Sequence, residues 1–516
     1  LSRKLLLRPT LYTPALHQRN ILNHFLAGHD RMFSSSQYRL SPAMALFLIS
    51  SFVALSVLVL YRVYFHPLSH VPGPLIAKVS SLPLHVVCYF GIEAKLLRHL
   101  HQSTGSKIIR VAPNSVSLSD YQSCRDIYIA GGGFPKDDRY KNLDMGPIPS
   151  IFSARDKAYR DLRAKAVAPL FAPIQIRSEL GPDGAIGSCV AEFADQLSKL
   201  SKSRVKTDLL DLCARLSIDV ITGYLLGQRY GGLSEHLHLP LNERQSEEAK
   251  LSANHWVHAV VSWARFSLLP NRIFRIVFPI YHWLKSSDKL SHSITKINDY
   301  AQQIMVQASK SKTTPPYYYH EALLRAGVSP SEAAAQSQAI IFAGADSTAM
   351  MLVTTLFHLI QNGAARARLQ CEIRDSARAD GDMPFLRAVL KEGLRLGMAN
   401  PTRLTRVIPS NSELRVGDDI FLPPGTVVGC AAYNLHHNPE VFPHPFSFRP
   451  ERWMEDGTDC ALRRPGMQQS LMPFGLGSRA CIGKTLAMVE IQEAVVALVG
   501  KGILDNARHR LEIAWE

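Results

Sequence analysis

The feature that most constrains this chain is a glycine-rich loop around Cys481, which reads F-G-L-G-S-R-A-C-I-G from Phe474 to Gly483. A helix-like run from Lys484 to Leu498 follows directly. The sulfur would therefore lie at the positive end of a helix dipole, close to free backbone N–H groups that stabilise a thiolate. The loop predicts a cysteine ligand for haem iron, whereas a structural buried cysteine in a turn is the alternative.

The residues around the cysteine strengthen the first interpretation. Gly477 and Gly483 allow the backbone to approach a large flat ligand, and Arg479 can bind a carboxylate through two N–H groups. Phe474, Gly477, Arg479, Cys481 and Gly483 together match the haem-binding loop of the cytochrome P-450 family. The chain resembles that family, which implies haem b with Cys481 as the axial metal ligand and the other four residues around the cofactor.

Residues 329–361 have the composition of one long helix. Ser329 and Glu332 have the spacing of a capping box, Pro330 suits the first helical position, and Asn362-Gly363 would end the helix. At 1.5 Å per residue such a helix is roughly 48 Å long. It is therefore long enough to cross a domain through its centre.

The middle of this helix places Asp346 beside Ser347 and Thr348, one turn after Ala343-Gly344. Polar groups inside a buried helix need partners, so this stretch is either a helix-packing notch with a capped aspartate or a functional groove. It resembles the family's oxygen-binding groove, where an acid–alcohol pair manages proton delivery. The resemblance implies catalytic roles for Asp346, Ser347 and Thr348, although the usual threonine position is Ser347 here.

Two further motifs precede the cysteine loop in the family's order. Glu392 and Arg395 form E-x-x-R on a predicted short helix from Leu386 to Leu396, and Arg452 lies in P-E-R-W. Residues at i and i+3 pair on one helix face, but an isolated E-x-x-R is uninformative. By resemblance, Glu392, Arg395 and Arg452 form a buried charge network that holds the cysteine loop, a structural role.

The resemblance also implies residues that bind the haem propionates. Tyr159 and Arg163, on a predicted helix from Asp156 to Leu170, have the spacing of a family pair that usually begins with Trp or His. Tyrosine can still donate a hydrogen bond. Arg406, after Pro401, falls where the family places another propionate-binding arginine.

The N-terminal region predicts a membrane anchor. Residues 42–65 contain an uncharged, nearly all-apolar run long enough for one spanning helix, and a cleaved signal peptide would need a shorter apolar region. Residues 66–74 contain three prolines and predict a stiff, extended hinge like that of microsomal filamentous-fungal members. The tail, 1–41, is expected to be disordered over 1–31 or to be an extension absent from the natural product.

Composition excludes other classes of protein. The formal net charge is +15, yet there is no lysine/arginine block or zinc-finger spacing, so we expect no nucleic-acid binding and favour a membrane surface or an acidic protein partner. The eight cysteines include no C-x-x-C pair, which argues against a disulfide scaffold or a zinc site. No glycine motif for a flavin or nicotinamide is visible.

Together these patterns predict a mainly α-helical fold with small β-sheets (α+β), a cytochrome P-450 fold preceded by one transmembrane helix. The expected catalytic domain is 75–516, although only 35 residues follow Cys481. The implied activity is insertion of one oxygen atom from O2 into a lipophilic small molecule, with electrons from NADPH through a reductase. The implied location is the endoplasmic reticulum membrane, single-pass, with a cytosolic catalytic domain. Alternatives are a same-fold isomerase or dehydratase and a non-catalytic haem-binding remnant.

Overall fold

A computed structural model describes residues 41–144, 146–202, 207–235, 237, 240, 243, 249–310, 318–379, 382–417, 420–454, 464–505 and 511–512. The expected tail thus lies outside the described residues except for Ser41, as does Cys460. The chain divides into two compact units, Leu1–Tyr61 and Arg62–Glu516.

The first unit contains helix α1, Pro42–Leu60, whose residues are all solvent-accessible. The side chain of Ser41 caps it by accepting a hydrogen bond from the Met44 backbone N–H, and Pro42 takes the first helical position. With the π-helical turn Tyr61–Phe65 it forms a stretch of 24 residues, within which an 18-residue window has a mean hydropathy of 2.6. A helix of this length, roughly 36 Å, could span a membrane.

The second unit is mainly helical. Its helices before the long central one are α2 (Leu75–Val79), α3 (Leu82–Tyr89), α4 (Glu93–Thr104), α5 (Tyr121–Tyr128), α6 (Lys157–Val167), α7 (Pro173–Arg177), α8 (Ala185–Lys202), α9 (Leu209–Leu226), α10 (Asn254–Ala264), α11 (Asn271–Lys285), α12 (Asp288–Lys310) and α13 (Tyr319–Arg325). The later helices are α14 (Pro330–Gln361), α15 (Gly363–Ala379), α16 (Pro384–Leu396), α17 (Ala432–His436), α18 (Met467–Ser470) and α19 (Lys484–Gly500). Short 3-10 turns include Pro450–Trp453 and Gly477–Arg479.

The strands form three small sheets. They are β1 (Ile108–Ala112), β2 (Ser115–Leu118), β3 (Thr207–Asp208), β4 (Arg406–Val407), β5 (Leu414–Val416), β6 (Ile420–Leu422), β7 (Val427–Cys430) and β8 (Leu511–Glu512). The largest sheet has the order β1-β2-β7-β4, with β2 and β7 parallel and the other pairs antiparallel. Strands β5 and β6 form an antiparallel pair, and β8 pairs in parallel with β3.

Helix α14 lies at the centre of the main hydrophobic core and packs against α9, α16 and α19. Its length and apolar composition would also suit a membrane span, but much of it is buried inside the domain. The Ser329 hydroxyl accepts a hydrogen bond from the Glu332 N–H, as predicted. The other half of the expected capping box is absent, because the Glu332 carboxylate binds Tyr159 and Arg163 instead.

The segment expected to be an extended hinge is a compact turn. The backbone N–H of Ser69 donates to the His66 carbonyl, and Leu68 and Val71 are fully buried beneath the β-sheet. The buried Arg110 guanidinium donates to the carbonyls of Arg62 and Leu68 at 2.9 and 3.2 Å. Burying these two apolar side chains stabilises the compact turn, whereas an extended connector would leave both side chains in water.

Candidate active site

The cysteine loop is closed by its own backbone. The Cys481 N–H donates to the Phe474 carbonyl at 2.9 Å, and the Ala480 N–H donates to the Gly477 carbonyl at 3.0 Å. The Arg479 guanidinium donates to the carbonyls of Ala154 and Arg155 at 3.0 and 3.4 Å. These bonds fix the sulfur just ahead of α19, the position predicted from the sequence.

The Cys481 side chain is exposed, yet protein surrounds it densely enough for desolvation to act on the sulfur. This burial raises the pKa of the Cys481 thiol, while backbone N–H groups of Gly483 and Lys484 lower it. A coordinated metal ion deprotonates a thiol outright, so the raised pKa does not prevent this exposed cysteine from ligating iron.

The two loop glycines singled out in the sequence differ in their surroundings. Gly477 has a φ of +69°, and a Cβ there would lie 1.8 Å from the Tyr128 carbonyl oxygen. Gly483 has ordinary backbone angles, and its nearest neighbours would be the Cys481 sulfur at 3.8 Å and the Phe171 ring at 3.9 Å. Only Gly477 is therefore required by the protein's own packing.

The charge network behind the loop is fully buried. The Glu392 carboxylate accepts hydrogen bonds from Arg395 at 2.8 and 3.0 Å, from Arg452 at 3.1 Å and from the Trp453 indole at 2.9 Å. Burial raises the pKa of Glu392, but the hydrogen bonds and charges of Arg395 and Arg452 outweigh it and hold the pKa below its usual value. The three motif residues therefore meet as the resemblance implied.

A histidine that the sequence reasoning missed connects this network to the cysteine loop. His436, on α17, is fully buried, and its Nδ1 lies 3.0 Å from the Arg395 carbonyl oxygen. Its Nε2 accepts a hydrogen bond from the Met472 N–H at 2.9 Å, so Nδ1 carries the proton. Burial lowers the pKa of His436 to about 3. Its sequence context, L-H-H-N-P, carries no spacing signal that marks it.

Four cations gather next to the loop: Lys136, Arg160, Arg406 and Arg479. Lys136 and Arg406 are buried and form a β-bridge, and burial together with neighbouring positive charge lowers the pKa of Arg479 and of Lys136. Arg160 pairs with Asp161 at 3.1 Å, but its Nε is buried without a hydrogen-bond partner. Concentrated positive charge is costly unless an anion compensates it. A flat cofactor with two carboxylates, such as haem, fits this set.

Tyr159 and Arg163 are engaged elsewhere. The Tyr159 hydroxyl donates to Glu332 at 2.5 Å, and Arg163 forms a two-point ion pair with the same carboxylate, its Nη2 lying 3.0 Å away. Their role as propionate ligands stays a prediction, and Arg160, one residue along from Tyr159, is the member of α6 that joins the cation group. Arg406, by contrast, belongs to that group.

The central part of α14 has features of both a helix-packing notch and a functional groove, the two alternatives left open by the sequence. Gly344 is a packing notch, since a Cβ there would lie 2.0 Å from Ile221 Cδ1. Ala343 is exposed, and Ser347, whose hydroxyl donates to the Ala343 carbonyl at 2.6 Å, is half-buried on the same side. Thr348 is buried. Ser347 is therefore the more accessible of the two hydroxyl groups.

If this stretch were only a packing notch, the Asp346 carboxylate would need a hydrogen-bond partner. Within the described part of the chain, no hydrogen bond reaches it. Burial raises its pKa, and the charge of His258 on α10 partly opposes this. The Trp256 ring of α10 packs edge-on against Phe342 at 6.0 Å, one turn before Asp346. The acid thus lies in a partly desolvated position that favours its protonated form more than water does.

Comparison with known proteins agrees with this geometry. The cytochrome P450 family model matches residues 92–501. A cytochrome P450 monooxygenase from Annulohypoxylon moriforme, mfmF, is 58% identical over 474 residues, which cover 90% of this chain and 95% of the relative. An Aspergillus niger cytochrome P450 monooxygenase, orf2, is 29% identical, with 87% and 89% covered. Pisatin demethylase of Fusarium vanettenii is 27% identical, with 85% and 84% covered.

The braced cysteine loop, the buried glutamate–arginine network and the extent of these matches agree on one assignment. The chain belongs to the cytochrome P450 family of monooxygenases.

Proposed function

We propose that this protein inserts one oxygen atom from O2 into a lipophilic small molecule of secondary metabolism, using electrons from NADPH delivered by a separate reductase. The observation that carries the proposal is the exposed Cys481, whose backbone N–H is held by the Phe474 carbonyl beside a cluster of buried and half-buried cations. The matched fungal monooxygenases and the fungal-type proline-rich segment support the metabolic assignment.

When bound, the haem supplies reductive activation of dioxygen. Cys481 would hold its iron through the sulfur, with the negative charge stabilised by the N–H groups of Gly483 and Lys484. Arg406 and Arg479 would bind the haem carboxylates. Asp346 would hold a proton at its carboxyl group and Ser347 would pass it on through its hydroxyl oxygen.

We also propose a single-pass protein of the endoplasmic reticulum membrane with its catalytic domain on the cytosolic side. Helix α1 is long and apolar enough to span a bilayer. The catalytic unit supports membrane association independently, because large apolar side chains are exposed at the end of α3 (Phe90) and on α11 (Ile276 and Trp283). The Phe266 ring joins these helices, at 5.2 Å from Tyr89 and 4.8 Å from Tyr281. Exposed apolar surface of this kind is typical of membrane contact.

A carbon monoxide difference spectrum of the reduced protein tests the haem-thiolate assignment. We expect the red-shifted thiolate band in the wild type, its loss in Cys481→Ser, and its retention in Cys371→Ser, since Cys371 is an exposed cysteine on α15. Absence of the band from folded, haem-loaded wild-type protein would contradict the proposal. Equal spectra for the two variants would do the same.

The electron source distinguishes the monooxygenase from a same-fold isomerase or dehydratase. Reconstitution with a reductase should make product formation depend on NADPH and O2, with one oxygen atom of the product derived from O2. Turnover of the same substrate without NADPH would favour the isomerase or dehydratase. A library of small lipophilic compounds, screened for binding-induced spectral shifts, would supply the substrate for this assay.

A further inference from the structure

Lys136 is a buried lysine in a chain segment for which the sequence predicted no function. Its side chain is 5% exposed, and its ammonium group donates to the Phe152 carbonyl. The ammonium nitrogen lies 4.4 Å from the Tyr140 ring centroid and 4.5 Å from that of Phe152. Lysine is almost never this buried unless it is paired, and ring faces attract a cation without neutralising it.

The charged neighbours of Lys136 are mostly positive. Arg406, Arg479 and Arg160 all act on it electrostatically, and Asp137 is the one acid that opposes them among the influences resolved in the described chain. Asp137 is already engaged, because it accepts a hydrogen bond from the Arg139 N–H at 3.0 Å. No carboxylate in the described ranges forms an ion pair with the Lys136 ammonium.

Lys136 is also fixed relative to the cysteine loop. Its ammonium binds the Phe152 carbonyl, and the Arg479 guanidinium binds the Ala154 carbonyl two residues further on. The Val407 N–H donates to the Pro135 carbonyl at 2.9 Å, which holds the Lys136 backbone against β4 beside Arg406. The ammonium is therefore close enough to both arginines already proposed to bind haem carboxylates for their charges to act on it.

We propose that Lys136 binds a haem carboxylate beside Arg406 and Arg479. This inference rests on the haem-binding function proposed above and assigns Lys136, which the sequence analysis did not select, to the cofactor site. It also explains how the site functions with Tyr159 and Arg163 committed to Glu332. An ammonium held by two rings and one carbonyl has little freedom to lose when it binds the anion.

The test is titration of the full-length apoprotein with haem and with haem dimethyl ester, whose carboxylates are methylated and uncharged. Lys136→Gln keeps an N–H donor at this position but removes the charge. We expect haem affinity to fall by about 10- to 100-fold, the range for a lost charge-assisted hydrogen bond. Affinity for the ester should change by less than about threefold, because the ester offers no carboxylate for the ammonium.

The matched control is Lys157→Gln, since Lys157 is an exposed lysine paired with Asp161 on α6, and it should leave both affinities unchanged. Because both ligands titrate the same protein, the ratio of their affinities is independent of the folded fraction, so partial unfolding of a variant does not obscure the result. A Lys136→Gln protein that keeps the wild-type ratio would overturn the inference. Wild-type protein that binds neither ligand would instead overturn the proposed haem function.

Discussion

The Nε2 atom of His436 accepts a hydrogen bond from the backbone N–H of Met472 at 2.9 Å, two residues before the cysteine loop begins. The opposite ring nitrogen faces the Arg395 carbonyl. One neutral imidazole thus connects the E-x-x-R helix to the loop that carries Cys481. The buried network of Glu392, Arg395 and Arg452 is therefore linked through the His436 ring to the segment that leads into the cysteine loop.

Replacing His436 with alanine should therefore loosen the cysteine loop. Each buried hydrogen-bonding group left without a partner costs about 1–3 kcal/mol, and the change leaves the Met472 N–H and the Arg395 carbonyl in that state. We expect a lower thermal midpoint and faster loss of the thiolate band on incubation. His292→Ala, at an exposed position on α12, should match the wild type. A His436→Ala protein as durable as that control would show that the ring does not brace the loop.

Glu392→Gln should be more damaging than its small change in size suggests. The carboxylate neutralises Arg395 and Arg452, and all three side chains are fully buried. An amide leaves two uncompensated buried charges, and breaking one partner of such a network typically costs about 3–5 kcal/mol. The measurement is the fraction of purified protein that shows the thiolate band. Glu440→Gln, at an exposed acid, is the control, and equal yields of the two variants would contradict the expected effect.

The two loop glycines should respond differently to alanine. Gly477→Ala places a Cβ against the Tyr128 carbonyl oxygen at a positive φ, so we expect a loss of more than about 2 kcal/mol in unfolding free energy. Gly483→Ala meets only ordinary contacts and should stay within about 1 kcal/mol of the wild type. Denaturant unfolding of the two variants side by side measures the difference. Equal unfolding free energies for the two variants would mean that the backbone near Tyr128 shifts to accommodate the added methyl group without loss of stability.

The buried Glu490 carboxyl should make the free energy of unfolding depend on pH. It is buried on α19, where the Ser217 hydroxyl donates to it at 2.6 Å, and burial raises its pKa to about 8 from the ordinary 4.5. The native state therefore holds a proton that the unfolded state releases, so this stabilisation is complete below pH 4.5 and is lost as the pH rises to about 8.

Glu490→Gln removes this titration while keeping the shape of the protonated side chain. The unfolding free energy of the wild type, relative to the variant, should fall by about 1.4 kcal/mol per pH unit across that window. Thermal midpoints at pH 5, 6.5 and 8 would be measured, with Glu493→Gln for comparison, since Glu493 is less buried. Parallel curves for the wild type and Glu490→Gln would show that Glu490 is ionised in the native protein.

The elements with strong local signals were predictable from sequence. The long helix begins at Pro330 and ends at Gln361, as its cap residues indicate. The family motifs likewise identified Glu392, Arg395 and Arg452, which meet in space.

Predictions from sequence were wrong or incomplete where contacts with residues distant in the chain determine the local structure. Glu332 has the sequence spacing of a capping box, but its carboxylate forms an ion pair with Arg163 instead of capping the helix. The segment around Leu68 has the composition of a connector, yet the domain core buries it. Lys136 and His436 belong to the candidate site through contacts with residues far along the chain. Sequence spacing carries no information about such contacts.

The turn that follows the anchor has a practical consequence for producing the enzyme without its membrane helix. Arg110 is completely buried, and the carbonyls of Arg62 and Leu68 are among its hydrogen-bond acceptors. A truncation placed after the proline-rich stretch would take both acceptors away and leave a desolvated guanidinium behind. A soluble form should therefore begin at or before Arg62, because the catalytic unit starts where the apolar helix stops.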